Sequence, residues 1–119
     1  MSELHFMKLQ PCPFEEIKSG EKTIELRLFD EKRQKIKVGD IIVFTSLATG
    51  EEIRAEVVCL HIFESFEELY RTLPLLKCGY TAQDIDTASP ADMDLYYSKE
   101  EQKKYGVVGI ELRLQKQVR

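Results

Sequence analysis

Nine consecutive residues, Ser19 to Arg27, carry the densest group of side chains able to do chemistry. Lys22 offers a point charge, Glu25 a carboxylate, Arg27 a planar fork of donors and Thr23 a hydroxyl. Ile24, Leu26 and Leu28 alternate with them, which is the period of a half-buried strand. Side chains two apart share a face, so Thr23, Glu25 and Arg27 stand opposite the apolar row. Lys22 follows Ser19-Gly20, where the backbone can turn it toward that polar face. On a flat surface such a row is an ion-pair ladder worth about 0.5 kcal/mol. In a concave place it is a small polar pocket. There Arg27 would grip a phosphate or a base edge, and Lys22 would add charge. Glu25 would accept from an exocyclic amine or activate water as a general base.

Tyr96, Tyr97 and Ser98 form a second constellation. Paired tyrosines at helical spacing are ordinary core-edge residues, and they also make a stacking platform for a base. Ser98 reads as a helix cap rather than a nucleophile. Lys32, Arg33, Lys35 and Lys37 read as a solvated face able to guide a phosphate backbone. Asp40 serves a turn and His5 is a satisfied structural histidine. The formal charge of -4 argues against a protein that coats duplex DNA or anionic lipid. That charge is polarised along the chain. Residues 18–37 hold seven Lys/Arg against four acids, a local +3; residues 64–101 hold three against nine, a local -6. Cys12, Cys59 and Cys78 are far apart with no CxxC pair, and His5 and His61 add no metal spacing. No disulfide framework, metal site or cofactor is expected. No signal peptide or membrane span is visible, so the expected setting is the cytoplasm.

The elements that must position these groups are short. Leu4–Leu9 reads as a first strand, apolar on both faces and therefore central. A helix over 13–18 follows, stopped by Gly20. Strands are expected over 22–28, 41–44, 53–63 and 107–114, the fourth bent to serve two sides of a barrel. In the last, Val108, Ile110, Leu112 and Leu114 should face inward. Residues 30–35 should be a solvated loop or one helical turn. Ser65 with Glu68 is a capping box opening a helix that ends at Pro74. Ser89-Pro90 opens another helix, and Ser98 to Glu101 repeats the capping pattern. The 119 residues suit one domain, 1–119, of α+β class.

The run Pro-Phe-x-x-Ile-x-Ser-Gly-x-Lys-Thr-x-Glu-x-Arg from Pro13 to Arg27, then Ile36-x-Val38-Gly39-Asp40-x-Ile42, resembles the ASCH domain. Met93-x-x-Tyr96-Tyr97-Ser98-x-Glu100 and Tyr105-Gly106-Val107 are similar to its C-terminal half. The resemblance covers nearly the whole chain. It implies a small PUA-like mixed β-barrel of about five to six strands with short helices at its ends, acting on RNA or nucleosides. One bacterial branch hydrolyses the acetyl amide of N4-acetylcytidine with a Lys base and a Thr nucleophile. That Lys maps onto Lys22 and that Thr onto Glu25, so the chain departs from the branch at the reacting position. Thr23 is about 7 Å along the strand and does not replace it. Other members are reported as ribonucleases.

The expected function is binding of RNA or a nucleoside or nucleotide in a pocket lined by Lys22, Thr23, Glu25, Arg27, Tyr96, Tyr97 and Ser98. The alternative is hydrolysis of a nucleoside amide or an RNA phosphodiester, with Lys22 and Glu25 as the acid/base pair. A further alternative is a protein-binding adaptor, whose acidic 64–101 segment meets a basic partner.

Overall fold

A computed structural model describes residues 2–115. Five strands form one mixed sheet: β1 (Leu4–Leu9), β2 (Ile24–Leu28), β3 (Ile41–Ser46), β4 (Glu52–Phe63) and β5 (Val107–Leu114). Their spatial order is β1-β3-β4-β5-β2, with β1 parallel to β3 and every other pair antiparallel. The sheet curls into a half-barrel of α+β class. Its edge strands β1 and β2 share no ladder; a β2 side chain and one from the turn after β2 reach the β1 backbone instead. Arg27 donates to the Lys8 carbonyl at 3.3 Å and Lys32 to the Phe6 carbonyl at 2.8 Å.

Among the described residues three α-helices fill the connections: α1 (Pro11–Ser19), α2 (Phe66–Thr72) and α3 (Lys99–Tyr105). Each start has a local cause. Pro11 supplies a first-turn φ for α1, and Gly20, at φ 88°, ends it in the left-handed conformation that glycine adopts most cheaply. Ser65 and Ser98 accept from the backbone N–H three residues on, in Glu68 and Glu101. The Ser89-Pro90 start gives a 3-10 helix, Pro90–Leu95, closed by a full capping box with Asp92.

Two cores lie on opposite faces of the sheet. The concave core holds Met7, Phe14, Ile42, Phe44, Val57 and Ile110 among others. The second holds Ile24, Leu26 and Leu28 of β2 under Phe66 and Leu69 of α2. This corrects the half-buried reading of β2. Helix α2 covers the apolar row, and the polar row faces the concave side, so neither face meets bulk water. The register agrees: Glu25 lies opposite Ile110 and Arg27 opposite Val108, both concave-core residues.

Other expectations also change. β1 is an edge strand, and its Leu4 and Phe6 are exposed. β2 begins at Ile24, so Lys22 and Thr23 precede it. Leu114 is exposed, because β5 runs past the end of the core there. Residues 30–35 contain one 3-10 turn, Arg33–Lys35. The bend expected in β4 is a bulge between Val57 and Cys59. Asp40 ties its turn to β1, accepting from the Lys37 and Glu3 backbone N–H groups and pairing with His5 Nε2 at 2.8 Å. Among the described residues no helix is long and apolar enough to cross a membrane.

Candidate functional site

The polar row of β2 ends in a charge cluster. Lys22 Nζ lies 2.7 Å from Glu25 Oε1, and Arg27 Nε lies 2.7 Å from Glu25 Oε2. The side chains are 10 %, 5 % and 16 % exposed for Lys22, Glu25 and Arg27 respectively. One carboxylate between two cations leaves a net +1. Burial alone would raise the Glu25 carboxyl, but the Lys22 and Arg27 charges and their hydrogen bonds outweigh it. Glu25 is therefore held below the usual carboxylate range, ionised with both oxygens engaged.

The backbone before β2 fixes where Lys22 points. After α1 stops at Gly20, Lys22 N–H donates to the Glu16 carbonyl and Thr23 N–H to the Lys77 carbonyl. The Lys22 side chain then lies over Gly79, where a Cβ would stand 3.4 Å from Lys22 Cδ. Gly79 has φ 111°, so both its conformation and its lack of a side chain suit this place.

The cluster opens onto a cleft of about 700 Å³. Lys22, Glu25, Arg27, Tyr96 and Tyr97 all line it. Tyr97 stacks on Phe66, with ring centroids 6.2 Å apart and planes 15° apart. Tyr96 projects freely and is 71 % exposed. Two of the expected residues do not line the cleft: the backbone of Thr23 is spent on Lys77 and β5, and Ser98 is exposed and caps α3. The basic run contributes one contact beside the seam, Lys32 to Phe6.

The far wall was not legible in the sequence. Tyr70 and Tyr80 share a hydroxyl–hydroxyl bond of 2.7 Å, and Tyr80 donates to Asp92 at 2.7 Å. Burial and the bonds to Tyr70 and Asp92 hold the Tyr80 phenol far above its usual range. Cys78 also lies in this wall; burial pushes its thiol up to about 11, so it is no ready nucleophile. These residues come from α2, the Cys78–Tyr80 loop and the Pro90 helix, which meet only in the fold. Lys8, Gln10, Glu16, Asp84 and exposed Cys12 complete the polar lining.

A curled α+β half-barrel with a polar, aromatic-walled cleft at its seam defines a PUA-like domain. The sequence matches the family model of the ASCH domain over residues 7–116, and the chain belongs to that family. The crystal structure of hypothetical protein PH0355 is similar at 34 % identity, covering 95 % of this chain and 99 % of that one, with a TM-score of 0.77. The solution structure of PF0455 from Pyrococcus furiosus is similar at 33 %, over 96 % and 99 %, with a TM-score of 0.74. The ZmASCH S128A protein from Zymomonas mobilis shares the fold at 14 % identity, over 92 % and 67 %, with a TM-score of 0.65. No curated protein matches the sequence.

Proposed function

We propose that this domain binds a nucleoside-sized ligand, free or as one unpaired base of RNA, in the cleft above Lys22, Glu25 and Arg27. The observation that carries the reading is the buried Lys22–Glu25–Arg27 cluster beside two tyrosine rings in a cleft roomy enough for a base and sugar. Lys22 spends one of its three donors on Glu25, which leaves others for a base carbonyl or a phosphate. Tyr96 is free to stack on a base, and Tyr97 holds a fixed wall beside it. The cleft as a whole is not a polyanion groove. Lys8, Lys22 and Arg27 face the carboxylates of Glu16, Glu25, Asp84 and Asp92. That balance favours the polar edges of a base over a run of phosphates.

Hydrolysis is the weaker reading. A general base needs a pKa near the working pH, whereas the two cations that bind one Glu25 oxygen each hold its carboxyl below the usual range. The adaptor reading loses ground because Tyr96 and Tyr97 line the cleft without filling it. In this reading the protein works in the cytoplasm, where Cys12 stays a thiol at the cleft wall.

Nuclear magnetic resonance titration tests the proposal. Cytidine, N4-acetylcytidine and a short single-stranded RNA should shift the amides of residues 22–27, 79–80 and 96–97 and leave β3 unmoved. Shifts confined to the 32–37 basic run would remove the cleft from the account. Turnover of N4-acetylcytidine or RNA that Glu25→Gln abolishes would restore the enzymatic reading.

A further inference from the structure

The bulge in β4 builds a second cluster on the sheet face opposite the polar row of β2. Val57 pairs with Leu112 and Cys59 pairs with Glu111, so Val58 is an extra residue. Before the bulge, Ile53, Ala55 and Val57 point into the concave core. In an unbroken ladder Val58 would oppose Glu111, and Cys59 would enter that core beside Ile110. The bulge resets the alternation, so that Cys59 and His61 share the face that carries Glu111. One ligand atom from each of the three residues lies within 4.8 Å of the other two. His61 Nε2 and Glu111 Oε1 are 2.8 Å apart. All three residues are partly buried, held by the sheet yet reachable from solvent.

We propose that Cys59, His61 and Glu111 bind a zinc-type divalent cation. Sulfur, imidazole nitrogen and carboxylate oxygen together suit Zn²⁺ and its analogue Co²⁺. With metal–ligand bonds of about 2.0–2.3 Å, ligand atoms of a tetrahedral site stand about 3.3–3.8 Å apart. Small side-chain rotations reach that spacing from the present arrangement. Binding releases the Cys59 thiol proton to solvent, and the thiolate and the Glu111 carboxylate then balance the dication. His61 now donates its Nε2 proton to Glu111, so binding the metal through Nε2 moves that ring proton, by way of solvent, to Nδ1. Three protein ligands leave a fourth position for water.

The other histidine–carboxylate cluster, Glu3, His5 and Asp40, has no such capacity. The Asp40 carboxylate already accepts from two backbone N–H groups and pairs with His5, which is a structural use.

Cobalt titration of the reduced protein decides the matter. The expected result is one Co²⁺ per chain with a thiolate-to-cobalt charge-transfer band, displaced by Zn²⁺. Cys59→Ser should abolish the band, and Cys12→Ser should leave it intact. His61→Ala and Glu111→Gln, at partly exposed positions, should each weaken binding at least tenfold, with circular dichroism checking the fold. No charge-transfer band in the unmodified protein would overturn the proposal, and so would a band that survives Cys59→Ser. Unchanged affinity in both His61→Ala and Glu111→Gln would also overturn it.

Discussion

Replacing Glu25 by glutamine keeps the side chain's shape and removes its charge. Lys22 and Arg27 then remain at 10 % and 16 % side-chain exposure without their shared anion. The amide –NH2 also meets a donor on one side, where the carboxylate met only acceptable partners. Removing one partner of a buried pair costs about 3–5 kcal/mol. Small domains hold about 5–15 kcal/mol in all. At roughly 4 °C per kcal/mol for a chain of this size, the midpoint of thermal unfolding should fall by about 12–20 °C. The pH dependence gives an independent reading. Glu25 is held below its usual range, so its contribution is complete above the unfolded carboxyl value of about 4.3 and is lost as pH falls through the lower folded value. The native protein should therefore lose stability steeply below about pH 4.3, and Glu25→Gln should lack that part of the acid limb. Urea unfolding at pH 7 and at pH 3.5 measures both effects. Lys22→Met is the control: it leaves a neutral Glu25–Arg27 pair and should cost less than half as much. A Glu25→Gln protein within about 1 kcal/mol of the native one, with the same acid limb, would refute the account of a buried, fully paired cluster.

Three further outcomes follow from the same geometry. Gly79→Ala forces a non-glycine residue to φ 111° and sets a methyl 3.4 Å from Lys22 Cδ; it should cost about 1–3 kcal/mol and weaken ligand binding, as denaturation and titration together would register. Tyr80→Phe cuts the Tyr70–Tyr80–Asp92 chain and should cost about 1–2 kcal/mol in urea unfolding. Ser65→Ala removes the α2 cap and should cost about 1 kcal/mol, with ligand affinity unchanged by calorimetry.

Strand and helix positions were legible wherever one local rule governed them. β1 and β5 have the expected bounds; a proline two residues on stops β1, and β5 starts just after Gly106. The serine caps marked α2 and α3. The alternation in β2 gave two faces but not their cover: α2 reaches the apolar row from forty residues away, which turned the charged row inward. The edge position of β1 was hidden because apolarity on both faces does not reveal strand order. In the candidate site, Lys22, Glu25 and Arg27 were readable because they fall within six residues, Lys22 just before the strand that carries the other two. Thr23 was misplaced since the strand starts after it, and Ser98 since its capping role turns it to solvent. Tyr70, Tyr80 and Asp92 carried no signal, because three segments bring them together only in the folded chain. The Cys59–His61–Glu111 cluster was hidden by the bulge, which no local motif announces.

In the proposed function the cleft holds a base between its charged cluster and Tyr96. Isothermal titration of the native protein and of Tyr96→Ala with cytidine, N4-acetylcytidine and single-stranded RNA tests it most directly. Tyr96 is 71 % exposed, so its loss leaves the core intact. A base stacked on an aromatic ring gains about 1–3 kcal/mol, so the variant should bind about 5- to 150-fold more weakly at the same one-to-one stoichiometry. Equal affinity in the two proteins, or no saturable binding by the native one, would contradict the account.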